Sequence, residues 1–304
     1  MSAPDIKHVD EFQSPASKDN YVSDQTGIRL LRKIDLKPGI TGLGKLDGQT
    51  TTALVVDVET TGLNQETDVV IELAMRRFRY DDSGTIVEIG CGWSWREDPG
   101  YPLSPEIIEL TGLTNADLVS QSIDDELVHS IIAEAGLIIA HNSAFDRPML
   151  EKRFPEMPGR PWACSCEQID WRAAGFEGRS LGYLAMQAGW YFDGHRALND
   201  VDAVIQLLQH EDTDGTSLLY QLDVNALADS HLIEAVGSAF DTKDALRARG
   251  YRWNASERVW WHEVTDSELL AEQAWLATEV YASGRGAVAM GPRITRRNAF
   301  SRYR

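Results

Sequence analysis

Asp57-Val58-Glu59-Thr60-Thr61-Gly62-Leu63, at the end of the apolar run Ala53-Leu54-Val55-Val56, is the stretch on which the fold turns. Ala53 to Glu59 is short, β-branched and closed by a glycine turn, the pattern of a buried strand. Side chains alternate along a strand, so Asp57 and Glu59 project to the same side. Two carboxylates that close repel each other and resist burial unless a cation lies between them. Hard divalent ions such as Mg²⁺ or Mn²⁺ accept oxygen ligands of this kind. The same spacing also suits an acidic pair at a strand end facing solvent, and both readings stand at this point.

Outward from this strand, Val69–Tyr80 and Thr85–Trp95 read as two more, with Asp81-Asp82-Ser83-Gly84 supplying turn chemistry between them. Helical segments follow. The first is Ser104–Leu110, with Ser104 as N-cap and Pro105 at the first position, and Ile123–Ala135 is the second. Leu137–Ala140 reads as a buried strand. Ser143–Phe154, Cys166–Ala174, Ser180–Ala188 and Ala197–Gln209 read as helices. A meander followed by alternating helices and strands predicts an α/β domain with a mixed sheet.

Composition sets the outer limits. The 304 residues, 43% hydrophobic with nine Trp, allow one large domain and a small one. Residues 1–50 are polar and read as an arm or linker, in which Ile28-Arg29-Leu30-Leu31 is suited to packing. Gly39-Ile40-Thr41-Gly42-Leu43-Gly44-Lys45 approaches a phosphate-binding loop, but Leu46 stands where Ser or Thr is needed. Residues 51–212 form the α/β domain. Residues 216–284 form a second, α+β one, with a strand at His231–Val236, a helix at Thr242–Arg249, a hairpin about Asn254 and a helix at Glu268–Ala282. The last segment, 285–304, carries six Arg and no acid, and reads as a disordered basic tail. No apolar run approaches the ~20 residues of a membrane span. The N-terminus has no secretory pattern, and three cysteines are too few for a disulfide framework, so a reducing cytoplasm is expected. Cys164-Ser165-Cys166 is poorly spaced for zinc. A net charge of −18 argues against non-specific coating of nucleic acid, but does not exclude a protein that grips a few nucleotides at one end.

Two further acidic sites stand downstream. His141-Asn142-Ser143-Ala144-Phe145-Asp146 directly follows Leu137–Ala140, and His195-Arg196-Ala197-Leu198-Asn199-Asp200 leads into the helix of Val204, Leu207 and Leu208. Asp200 and Val204 are four apart, so Asp200 shares the core-facing side, where an unpaired carboxylate is costly. Together with Asp57–Gly62, these segments resemble the three motifs of the DEDDh exonucleases: the family of the bacterial proofreading epsilon subunit, RNase T and oligoribonuclease. Leu110-Thr111-Gly112-Leu113-Thr114 is similar to the segment between the first two motifs. The resemblance covers residues 52–210.

That resemblance implies an RNase H-like mixed five-stranded sheet flanked by helices. Asp57, Glu59, Asp146 and Asp200 would hold two divalent ions, Mg²⁺ or Mn²⁺, and His195 would be the general base. Thr60, Thr61 and Leu63 would hold the terminal nucleotide by backbone N–H groups and an apolar wedge, while His141, Asn142 and Phe145 would line the cleft. Read from the residues alone, Phe145 equally suits the core and His141 a backbone carbonyl. Asp202 reads as a helix-start residue rather than a ligand. The implied activity is 3′→5′ exonucleolytic release of nucleoside monophosphates, chiefly from single-stranded DNA. The alternatives are an exoribonuclease of the RNase T or oligoribonuclease type, a phage-defence nuclease, and a non-enzymatic nucleic-acid-binding module. Which polymer fits depends on how the 2′-hydroxyl is read, and no motif marks that.

Phe240–Trp261 resembles helix-plus-hairpin modules appended to epsilon-like exonucleases. Its aromatic residues, with Lys243, Arg247, Arg249, Arg252 and Arg258, would stack on and steer a strand. Alternatively, Trp253, Trp260 and Trp261 build a small core. A polymerase or a sliding clamp is the expected protein partner, Gln221-Leu222-Asp223-Val224 faintly matching a clamp-binding peptide that Asn225 interrupts.

Overall fold

The structure, a computed structural model, describes residues 29–46, 48–157 and 159–304. It divides into two compact units, residues up to Asn225 with Tyr303–Arg304, and Ala226–Arg302.

In the first unit the chain forms β1 (Arg32–Lys33), β2 (Gly39–Ile40), β3 (Thr50–Thr60), β4 (Val70–Asp81) and β5 (Ile86–Arg96), then α1 (Pro105–Thr111), α2 (Asn115–Leu118) and α3 (Asp125–Ala133). It continues through β6 (Leu137–Ala140), α4 (Ser143–Arg153), β7 (Trp162–Cys164), α5 (Leu181–Gln187), β8 (Trp190–Tyr191), α6 (Ala197–Leu208) and α7 (Leu218–Leu227). The main sheet runs β2-β5-β4-β3-β6-β7. The β3–β4 and β4–β5 pairs are antiparallel, whereas β6 and β7 are parallel additions. Without β2 this is an antiparallel meander extended by two parallel strands beside its first strand, the RNase H-like order. There are six strands rather than five because Gly39–Ile40, in the segment expected to be a linker, pairs along β5.

Alternation along β3 divides the core. Leu54, Val56 and Val58 pack with Val128, Ile131 and Ile132 of α3 and with Met149 and Leu150 of α4. Against β3 and β4 lies α6, which buries Val201, Val204, Ile205 and Leu208. The four-residue β6 pairs with β3 only along Ala53–Val55. Beyond Val55, β3 therefore runs on with one edge unpaired by a neighbouring strand, and this places the site.

Several expectations need correction. Residues 1–28 of the expected arm, Ile28 included, lie outside the described residues; beyond them Leu30 is exposed, while Ile34 and Thr41 are buried. Cys166–Ala174 forms turns, not a helix. Side chains there compete for the backbone: Trp171 Nε1 donates to the Ser165 carbonyl and Ala173 N–H to Asp170 Oδ1. The α/β unit extends past 212. Leu218, Leu219 and Leu222 of α7 are fully buried, and Tyr80 donates to Asp223 at 2.7 Å. This same helix contains Gln221–Val224, so the faint clamp-peptide match is helical, with Leu222 buried and Asp223 engaged.

The second unit has an antiparallel sheet, order β10-β11-β9-β12, built from β9 (Ser230–Glu234), β10 (Arg252–Asn254), β11 (Val259–Thr265) and β12 (Arg293–Arg297), with α8 (Lys243–Ala248) and α9 (Leu269–Glu279). Ile233, Leu246, Tyr251, Val264, Leu276 and Val280 form its core. The basic tail expected to be disordered supplies β12, because its arginines find carboxylates: Arg293 pairs with Glu234, while Arg297 and Arg302 pair with Glu263. Among the described residues, no helix is long and apolar enough to cross a membrane.

Ending the chain at Asp212 removes three buried leucines. We expect that truncation to lose at least about 4 kcal/mol of apolar burial and to melt far below a chain ending at Asn225 in a thermal scan.

Candidate active site

The unpaired reach of β3 is filled from the side by α4. Val58 N–H donates to Asp146 Oδ1 at 3.3 Å, so the carboxylate takes the edge position that β6 vacates. Asp57 and Glu59, two residues apart, face the α6 side of the sheet, with small Ala74 opposite Asp57. A register shift falls between Glu59 and Thr60, a bulge that ends regular pairing beside the acids. From the first turn of α6, Asp200 accepts the Arg196 N–H at 3.2 Å. Asp57, Glu59 and Asp200 each offer an oxygen such that all three lie within 4.8 Å of one another. Among the described residues, none of these three or Asp146 forms an ion pair with Lys or Arg.

Crowding shows in the titration of these groups. Burial first, then Asp146, Asp200 and Glu59, hold the Asp57 carboxyl well above the usual range. Burial and neighbouring Asp200 and Glu72 push Glu59 up to about 8. Burial lifts Asp146 to about 7 against the opposing Val58 N–H, and Asp200 to about 6 against the opposing His195. Partly buried oxygens that lack a basic partner and repel one another fit a divalent cation, in the oxygen-only chemistry of Mg²⁺ or Mn²⁺.

His195 is exposed at φ +61°, one residue before the α6 cap, beside Asp200. The turn after the first motif is rigidly clasped. Asp68 accepts from Thr61 Oγ1 at 3.0 Å and from Asn64 N–H at 2.8 Å. A Cβ on Gly62 would lie 2.5 Å from that carboxylate, so glycine is required for the close approach. From α4, Lys152 donates to the carbonyls of Gln65, Glu66 and Asp68. Leu63 projects from this turn, 84% exposed, as an apolar wedge would.

The other expected contacts divide. Thr60 is buried, and its hydroxyl donates to the Gly62 carbonyl. Thr61 N–H is bonded to the Val69 carbonyl, and its hydroxyl lies 3.1 Å from Tyr101 OH. Asn142 is exposed at φ +118° at the start of α4, while Phe145 packs against the core. Both ring nitrogens of His141 are engaged, by Ser165 Oγ at 2.9 Å and the Arg179 carbonyl at 2.7 Å, and burial lowers its pKa. The carbonyl bond is one of the two readings that the sequence left open for His141. Asp202, expected to cap or solvate the helix start, instead forms a half-buried ion pair with Arg76 at 2.7 Å.

Glu72 was not foreseen. It lies directly across from Glu59, 2% exposed, accepts the Ala197 N–H at 3.1 Å and pairs with Arg196 at 3.5 Å and Arg96 at 3.7 Å. A lone acid inside Val70-Ile71-Glu72-Leu73-Ala74 was the signal available. It ties the α6 start, and with it Asp200 and His195, to the sheet. Tyr101 and Asp68 were likewise unmarked by any motif.

A mixed sheet with carboxylates converging where its central strand outruns its neighbour is the build of an α/β hydrolytic centre. The chain belongs to the exonuclease family of the RNase T type, whose sequence profile matches residues 54–208. It is 30% identical to the DNA polymerase III epsilon subunit of Aquifex aeolicus, over 53% of this chain and 79% of that one. It is 25% identical to a ribonuclease T of Shewanella sp., over 52% and 80% respectively. A PolC-type DNA polymerase III of Halalkalibacterium halodurans is 36% identical over 34% of this chain, a segment that spans only 7% of that protein. Among solved structures, exonuclease X in complex with 5′ overhanging duplex DNA aligns with a TM-score of 0.41 and 22% identity, covering 55% of this chain and 99% of that one.

Two outcomes follow from the crowded acids. A carboxyl whose folded pKa is raised stabilises the fold at low pH and loses that contribution as pH rises through the folded value. In EDTA, therefore, the melting temperature should climb as pH falls from about 8.5 towards 5, most of it through Glu59 and Asp57. Asp57→Asn/Glu59→Gln should flatten that slope and melt on the order of 5 °C higher at the alkaline end, a gap that Mg²⁺ closes. Separately, Glu72→Gln keeps an acceptor for Ala197 but removes a charge, so Glu59 should titrate below its value of about 8 by carboxyl NMR.

Proposed function

We propose that this protein is a divalent-metal-dependent 3′→5′ exonuclease that removes nucleoside monophosphates from nucleic-acid ends, with single-stranded DNA as its main substrate. The observation that carries this reading is the convergence of Asp57, Glu59 and Asp200 on one point, with Asp146 fixed to the same strand. Asp57, Glu59, Asp146 and Asp200 would hold the cations. Bound there, the metal supplies charge neutralisation for the leaving 3′-oxygen and acidifies the attacking water. The chain's own groups do the rest. His195, on its exposed loop, takes the proton from that water, a role histidine fills near neutral pH. Glu72 and Arg196 hold the loop and helix that present it. Leu63, on its clasped turn, presses against the terminal base, and Tyr101 with Thr61 forms the wall beside it. A wedge and turn at one end of the strand give the enzyme access to a terminus rather than to an internal bond.

The choice of DNA leans on the epsilon-subunit relative, a polymerase subunit by name, and association with a DNA polymerase belongs to the same reading. An exoribonuclease is the second reading, favoured by the ribonuclease T relative, 80% of whose length this chain spans.

End-labelled single-stranded DNA, duplex DNA and RNA, incubated with Mg²⁺, Mn²⁺ or EDTA, test polarity, polymer and metal together. Shortening from the 3′ end in Mg²⁺ and none in EDTA is expected; internal cuts or metal-independent loss would overturn the reading. His195→Ala should lower turnover by roughly 10²- to 10⁴-fold while oligonucleotide binding persists. Near-normal turnover in that variant would remove His195 from the mechanism.

A further inference from the structure

In the second unit some aromatic residues pack inward and others face outward. The core is aliphatic with Tyr251, and Trp260 and Trp275 pack against it from its margin. Trp253 and Phe240 lie outside that cluster, 48% and 77% exposed. These two outward rings are linked by a run of contacts. Lys243 Nζ sits 3.9 Å over the Phe240 ring. Arg247, one helical turn beyond Lys243 on α8, lies 5.7 Å over Trp260. Trp260 pairs across the hairpin with Trp253, at 5.5 Å between ring centroids and 58° between planes. The result is a stripe of ring, cation, cation, ring and ring on one side of α8 and the β10–β11 hairpin. Arg247 also pairs with Asp244 at 3.3 Å, but both side chains are more than two-thirds exposed, so that pair yields readily to a phosphate.

We infer that this stripe is a second nucleic-acid contact, a stacking platform for a single-stranded polynucleotide, with bases on Phe240 and Trp253 and phosphates at Lys243 and Arg247. Exposed rings alone would suit many partners. The cations between them select a polyanion, in a chain whose net charge of −18 otherwise repels one. Two cations flanked by rings offer a single strand both contacts it needs, π-faces for its bases and positive charge for its linkages. Stacking on a ring accepts any base, which suits a protein that must hold successive sequences as a strand shortens. The inference rests on the exonuclease reading for its biological sense, while the binding itself can be measured without hydrolysis.

The test uses the full chain in EDTA, with fluorescein-labelled 20-nucleotide dT and rU strands followed by fluorescence anisotropy at two salt concentrations. Phe240→Ala/Trp253→Ala should weaken binding about tenfold or more, with an unchanged melting temperature. Lys243→Gln/Arg247→Gln should weaken it less and shallow the salt dependence. In Mg²⁺, hydrolysis of a p-nitrophenyl ester of thymidine 5′-monophosphate, which has no second base to stack, should be unchanged in both variants. A weakening on either strand supports the inference, and the larger of the two names the preferred polymer. Unchanged affinity for both strands in a folded double-alanine variant overturns it. So does a change in self-association by sedimentation without a change in strand affinity. If the wild-type chain cleaves nothing yet binds through Phe240 and Trp253, the exonuclease reading fails and this surface stands.

Discussion

Everything in the first unit is arranged around one electrostatic conflict: carboxylates brought together where, among the described residues, no Lys or Arg forms an ion pair with them. Asp57, Glu59 and Asp200 converge within 4.8 Å, and Asp146 stands against the same strand. In isolation each would prefer water or a proton, as their raised pKa values record. Such an arrangement persists only if the backbone holding it is over-determined. The strand supplies this. β3 is fixed along its length by β4 and on its other side by β6 as far as Val55, after which Asp146 takes over the free edge. The interaction that secures the Val58 N–H is the same one that delivers an acid to the cluster.

The helix that completes the cluster is restrained in a comparable way. α6 packs by its apolar side on β3 and β4, which sets its distance from the sheet. Its first turn is set by Glu72, which accepts the Ala197 N–H and draws in Arg196 and Arg96. This acid costs something, since it adds to the repulsion on Glu59. It also brings two guanidinium groups to the border of an acidic centre. Arg196 is among the groups that lower the Glu59 pKa. The site is therefore graded, from a crowded acidic centre to a paired rim. Geometry is held by the rim, and charge is left unresolved at the centre.

The sequence disclosed the centre better than the rim. Asp57, Glu59, Asp146, His195 and Asp200 stand in short motifs that read as a set through their resemblance to one family, and of these Asp57, Glu59 and Asp200 converge in the fold. The meander, α3, α4 and α6 were legible because their apolar residues alternate or recur every three to four positions. Glu72 was not, because a single acid in an apolar strand has no local partner to announce it. Nor was Asp68, whose clasp on the turn exists only once Thr61 and Gly62 are folded against it. His141 shows the second of its two readings, a backbone carbonyl partner. It stands in a motif, but Ser165 and Arg179, which engage it, are 24 and 38 residues away. Cys166–Ala174 carried a helical pattern that local side-chain bonds to the backbone overrode.

The arginine-rich end of the chain shows why charge counted along a sequence misleads about structure. Six arginines without an acid look unfoldable when read alone, since nothing within the segment neutralises them. Three of them find partners on strands elsewhere in the same unit: Glu234 on β9 takes Arg293, and Glu263 on β11 takes Arg297 and Arg302. Arg302 is buried, donating also to the carbonyls of Ala226 and Ala228. A segment expected to be disordered is thus largely committed to holding its own sheet. What remains to meet a polyanion is set by which cations the fold leaves beside exposed rings rather than beside carboxylates. In this unit that criterion selects Lys243 on α8, beside exposed Phe240, with Arg247 held only by the exposed Asp244, over the more numerous arginines of the tail.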